Sequence, residues 1–142
     1  IDFLIDSEDY IKAQKYVNQA LQSNSDNTDF WKKSAFIHFQ LNFYEETAVG
    51  CKTAISLGNH DILNWTLWMD SLMLINDWKK ALEIGEEALN YHKKNSSILY
   101  RLAGCKFRLG KKNEALFIFD QIKNNVIIPR NINHLFPELI KV

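Results

Sequence analysis

Thr47, Ala81 and Ala115 are spaced 34 residues apart, and two other sets of residues keep the same interval: Asn42, Asn76 and Gly110, and Asn27, Asp61 and Asn95. The second set suits a left-handed turn and the third suits a helix N-cap, so chain reversals return at a fixed period. A 34-residue unit of two helices cannot bury its apolar face alone. It has to stack on copies of itself, which predicts an all-α solenoid of antiparallel helix pairs. Such a scaffold offers a long inner face to other polypeptides.

More columns appear when the chain is laid out at this period. Trp31, Trp65 and Leu99 align, as do Ala20, Ala54, Ala88 and Ile122, and then Leu41, Ile75 and Leu109. Within a repeat, the first helix carries apolar residues near i, i+4 and i+7, and the second keeps small residues such as Ala81, Gly85 and Ala88 where helices approach closely. The predicted plan is one repeat domain over residues 1–142. It has a partial repeat at 1–22, complete repeats at 28–57, 62–92 and 96–124, and a capping segment at 131–142. The first helix of the partial repeat is expected to end near Asp6, and its second to run from about Glu8 to Gln22.

The two ends differ in what they predict. Ile132, Leu135, Phe136, Leu139 and Ile140 give the last segment an amphipathic stripe, with Pro137 limiting its regularity, and it is expected to cover the last repeat. Ile1, Phe3, Leu4 and Ile5 are expected to lack upstream packing partners of their own. That predicts further repeats before them, or a homo-oligomer formed through this half-repeat.

Composition narrows the function classes. A chain of 142 residues with 46% hydrophobic content can bury a continuous core. Seventeen basic residues balance seventeen acidic ones, which removes the broad attraction that nucleic acids and acidic membranes need. No apolar stretch approaches the ~20 residues of a membrane span. Cys51 and Cys105 sit in helices of non-adjacent repeats and are expected to be free core thiols, which favours a reducing, cytoplasmic setting.

The columns resemble the tetratricopeptide repeat, whose unit carries a Trp-like residue, a Leu-Gly or small pair, an aromatic residue and three alanine-like positions. The last repeat shows this best, in Leu99-Tyr100-Arg101-Leu102-Ala103-Gly104 followed by Leu109-Gly110-Lys111-Lys112-Asn113-Glu114-Ala115-Leu116 and Phe119. The repeat before it keeps Trp65, Trp68, Trp78, Ala81 and Ala88; the one at 28–57 departs at Ser34, Thr47 and Cys51. Residues 133–139, Asn-His-Leu-Phe-Pro-Glu-Leu, also resemble the close of longer bacterial arrays of this repeat, which implies that the chain is the carboxyl-terminal part of one.

The resemblance implies a right-handed superhelix whose first helices line a concave groove for peptides from partner proteins. The side chains it places there include Lys32, Phe36 and Phe39, then Leu63, Thr66 and Asp70, then Tyr100, Arg101 and Arg108. Phe36, Leu63 and Tyr100 break the repeat and are expected to form apolar pockets; Lys32, Arg101 and Arg108 are expected to steer acidic groups. A carboxylate clamp of the chaperone-binding kind is not expected. Lys32 and Arg101 match it, but Phe36, Leu67 and Ser97 replace its other donors.

Catalysis and cofactors find no support in the residues. No two of His38, His60, His92 and His134 have metal-ligand spacing, and no phosphate loop, nucleophile elbow or Cys-x-x-Cys pair occurs. Glu45 with Glu46 and Glu86 with Glu87 point about 100° apart on a helix and are read as solvated faces. The leading reading is a non-enzymatic protein-interaction scaffold without a cofactor. The alternatives are a self-associating structural segment and a regulatory segment of a larger multidomain protein.

Overall fold

The 34-residue punctuation is visible directly in the backbone. The computed structural model describes residues 1–130 and 132–136. Over these the chain forms α1 (Asp2–Asp6), α2 (Tyr10–Ser23), α3 (Thr28–Gln40), α4 (Tyr44–Ser56), α5 (Ile62–Leu74), α6 (Trp78–Ala88), α7 (Ser96–Arg108), α8 (Lys112–Ile122) and a 3₁₀ turn at Asn133–Leu135. The helices pack sequentially in pairs, and no strand occurs among the described residues.

Each first helix closes with a left-handed residue. Asn42, Asn76 and Gly110 have φ of 63°, 66° and 84°, as their column predicts. One residue on, the amide of Phe43, Asp77 or Lys111 donates to the carbonyl of His38, Leu72 or Lys106 at 2.8–2.9 Å, closing the helix with a six-to-one bond. Glu8 occupies the same column with φ 61°, and Asp9 donates to the Leu4 carbonyl at 2.8 Å. This turn is why α2 starts at Tyr10 and not at Glu8: Asp9 is its N-cap, accepting from the Lys12 amide.

The first helices are capped as predicted. Asn27 Oδ1 accepts from the Phe30 amide and Asn95 Oδ1 from the Ile98 amide, both at 3.1 Å, while Asp61 Oδ1 accepts from the Leu63 amide at 2.9 Å. The small-residue column is fully buried at Ala13, Thr47, Ala81 and Ala115. α6 stops at Ala88, short of the predicted 92, because residues 89–92 turn and Lys94 takes φ 57° before the Asn95 cap.

Two compact units divide the chain, 1–71 and 72–142. In the first, Ile1, Leu4 and Ile5 pack with Tyr10, Phe30 and Leu41 on a core of Ala13, Val17 and Ile37. Three of the four opening apolar residues are thus held by the helices that follow, α2 and α3, and of the four Phe3 alone is largely exposed. In the second unit, Ile98, Leu102 and Ala103 of α7 are buried with Ala81, Leu82 and Ile84 of α6 and with Ala115 and Phe119 of α8.

The capping segment is described only at 132–136; residue 131 and residues 137–142, including Pro137, Leu139 and Ile140, lie outside the described residues. Ile132 and Phe136 are fully buried. The segment lies on α7, with the Phe136 ring 5.9 Å from that of Tyr100 and 5.8 Å from that of Trp78 at the start of α6. It therefore covers part of the α7 surface predicted to line the groove.

Candidate functional site

Helical geometry separates α3 into two faces. At 100° per residue, Lys32 and Phe36 share one side, and Trp31, Ser34 and His38 lie roughly opposite. Each side carries a pocket in the first unit.

On the Lys32 side a pocket of about 270 Å³ is lined by Asp2 and Ile5 of α1, Asp29, Lys32, Lys33 and Phe36 of α3, and Leu63 of α5. Its apolar part is Ile5, Phe36 and Leu63, and the Phe36 ring is fixed by an edge-on contact with Tyr10 at 6.2 Å. Its charges compensate one another. Lys32 Nζ sits 3.0 Å from Asp61 Oδ2, and Lys33 Nζ lies 2.8 Å from Asp29 and 2.9 Å from Asp2. The hydrogen bonds that Lys33 donates to Asp29 and Asp2 hold its ammonium above its ordinary range, and the one to Asp2 holds that carboxyl below its own.

On the other side, α2, α3 and α4 form a larger open pocket of about 650 Å³, lined by Leu21, Trp31 and Val49 and by Glu45 and Glu46. His38 stands in its wall. Gln14 Nε2 is 3.2 Å from His38 Nε2, and Ser34 Oγ is 3.2 Å from His38 Nδ1. An amide nitrogen only donates, so Nε2 accepts and Nδ1 carries the proton toward Ser34. Burial holds the imidazole pKa below its ordinary value, against the pull of Glu46. Glu45 and Glu46, expected as solvated faces, also line this pocket; that place depends on the α2–α4 spacing, which no local pattern encodes.

Of the nine residues predicted for the groove, Lys32, Phe36 and Leu63 come together at one pocket. Five others are buried. Phe39 packs on Tyr44 at 5.6 Å between ring centroids, Thr66 hydroxyl donates to the Leu63 carbonyl, and Asp70 is 2% exposed. Tyr100 lies beneath Phe136, and Arg101 donates to Ser97 Oγ at 2.6 Å and to its carbonyl at 3.0 Å. The ninth, Arg108, is exposed but engaged: its guanidinium lies 5.6 Å from the Trp78 ring centroid and donates to the Leu135 carbonyl. Each of the three cations expected to steer acidic groups, Lys32, Arg101 and Arg108, thus has an intramolecular partner.

Both cysteines are free and buried, and burial, reinforced by the Asp70 carboxylate, pushes the Cys51 thiol far above its ordinary range. Among the described residues no group of three His, Cys, Asp or Glu side chains could hold a metal ion, and no helix is long and apolar enough to cross a membrane.

Comparison with known proteins adds to this geometry. Residues 73–125 match the family model of the tetratricopeptide repeat. No curated protein matches the chain. Among solved structures the fold is similar to that of YrrB, described as a TPR protein with an unusual peptide-binding site. The TM-score is 0.72 at 17% sequence identity, over 96% of this chain. The chain spans 65% of the length of YrrB.

Proposed function

We propose that this chain is a non-catalytic tetratricopeptide-repeat scaffold that holds a short peptide of a partner protein against the Lys32–Phe36 face of α3. The observation that carries the reading is the pocket lined by Ile5, Lys32, Phe36 and Leu63, three of which, Lys32, Phe36 and Leu63, are expected from the sequence to face the groove. The family match over residues 73–125 and the fold shared with YrrB support it.

The chemistry of the pocket narrows the ligand. Because Lys32 and Lys33 are neutralised by Asp61, Asp29 and Asp2, an acidic peptide gains little from them. Recognition rests on an aliphatic or aromatic side chain entering between Phe36 and Leu63, which makes affinity modest and nearly independent of salt.

Selection from a displayed peptide library tests this. Selected peptides should lose at least tenfold in affinity on Phe36→Ala with far-UV circular dichroism unchanged, and should be indifferent to Glu45→Ala on the opposite face. Equal binding to wild type and Phe36→Ala, or selected binders that respond to Glu45 instead, would refute the assignment.

A further inference from the structure

The 34-residue register makes two places in the chain equivalent. Tyr10 and Trp78 lie two periods apart, and so do Phe36 and Gly104. In the first unit, the ring facing Tyr10 belongs to Phe36, at 6.2 Å and 69°. In the second, position 104 has no side chain, and the ring facing Trp78 comes from Phe136, at 5.8 Å and 64°. A Cβ added at Gly104 would fall within 2.6 Å of Phe136 Cε1. The same edge-on pair is thus built twice, once within the stack and once with a ring carried in by a distant segment.

We propose that Trp78, Tyr100 and Gly104 form an acceptor site for an aromatic residue of a partner peptide, which the chain's own Leu135–Phe136 fills as an internal ligand. Gly104 supplies the volume, Trp78 and Tyr100 present ring faces and edges, and Arg108 binds the main-chain carbonyl just before the aromatic residue, as it binds that of Leu135. The recognised element is therefore a main-chain carbonyl followed by Phe or a similar ring. A tethered segment competes at high effective concentration, so a free peptide meets a site open only a small fraction of the time. This site is separate from the Phe36–Leu63 pocket, and its test does not depend on that pocket.

The probe is the acetylated, amidated peptide Ile-Asn-His-Leu-Phe, labelled for fluorescence polarisation, with its Phe→Ala version as control. The Phe136→Ala chain should bind the probe at least tenfold more tightly than wild type and ignore the control peptide. Adding Gly104→Phe should return binding to the wild-type level, because α7 then carries its own ring as α3 carries Phe36. A folded Phe136→Ala chain with unchanged affinity, or one that binds the control equally, overturns the proposal. Should Phe136→Ala unfold, restoration of its circular dichroism by the probe and not by the control supports the site; failure of both to restore it shows a fixed core residue and overturns the site.

Discussion

Gly50 offers a sharp test of how far repeat logic can be trusted against packing. Its column contains Ile84 and Ile118, so averaging over repeats recommends Gly50→Ile. That argument predicts a gain: burying an isoleucine contributes about 1.5–3 kcal/mol, and replacing glycine in a helix interior contributes about 0.5 kcal/mol more. The structure predicts the opposite. A Cβ at position 50 would stand 3.1 Å from Ala35 Cβ and 3.3 Å from both Ala35 Cα and N, and ordinary contact begins at about 3.5–4.0 Å. Two of these three neighbours are backbone atoms of a fully buried residue, so relief requires α3 to move away from α4. A gap of ~0.5–1 Å forfeits a quarter to a half of the dispersion well at every facing pair. Overpacking of this kind costs about 1–3 kcal/mol, and here the larger figure applies, giving a net destabilisation of about 2 kcal/mol. Thermal unfolding followed by far-UV circular dichroism should show a melting temperature lower by about 7 °C. Ile84→Val, a simple methylene deletion, should cost about 1 kcal/mol. A Gly50→Ile chain that melts at or above wild type would refute the packing argument and favour the repeat average.

Two further outcomes follow from single residues. His38 is held neutral by burial, so the unfolded chain takes up its proton more readily. Stability should be complete above the ordinary value of 6.5 and should fall as pH drops from there through the lower native pKa. The slope should not exceed about 1.4 kcal/mol per pH unit, and the dependence should flatten in His38→Gln, measured by urea unfolding from pH 8 to 5. Glu8 holds φ 61° without the local hydrogen bonding that eases asparagine into this region, so Glu8→Asn should stabilise the α1–α2 junction by about 0.5–1 kcal/mol, read as slower amide exchange in α1.

What the sequence encodes legibly is the set of demands that each repeat makes on a single position. A left-handed turn needs Asn or Gly, a helix start needs a short polar side chain, and a close helix contact needs a small one; Asn76, Asn95 and Ala81 answer these demands locally and can be read one at a time. Glu8 escapes that reading because its turn is imposed by the geometry of the repeat on a residue that does not ask for it. Exposure escapes for a different reason. Helical phase places Phe36 and Tyr100 on corresponding faces of α3 and α7, but whether a face is open depends on what arrives from elsewhere in the chain. Tyr100 is buried because Phe136, thirty-six residues later, lies on it; Phe36 lines a pocket because Ile5 and Leu63 stop short of covering it. The irregular column Phe36, Asp70, Gly104 is where these effects meet. Regular columns are fixed by the stack and must stay alike for neighbours to fit, whereas this one varies from a ring to a carboxylate to nothing. A position free of the stack's demands is free to be shaped by a ligand. The missing side chain at Gly104, matched by a ring brought from outside the helix pair, is the plainest instance of that freedom in use.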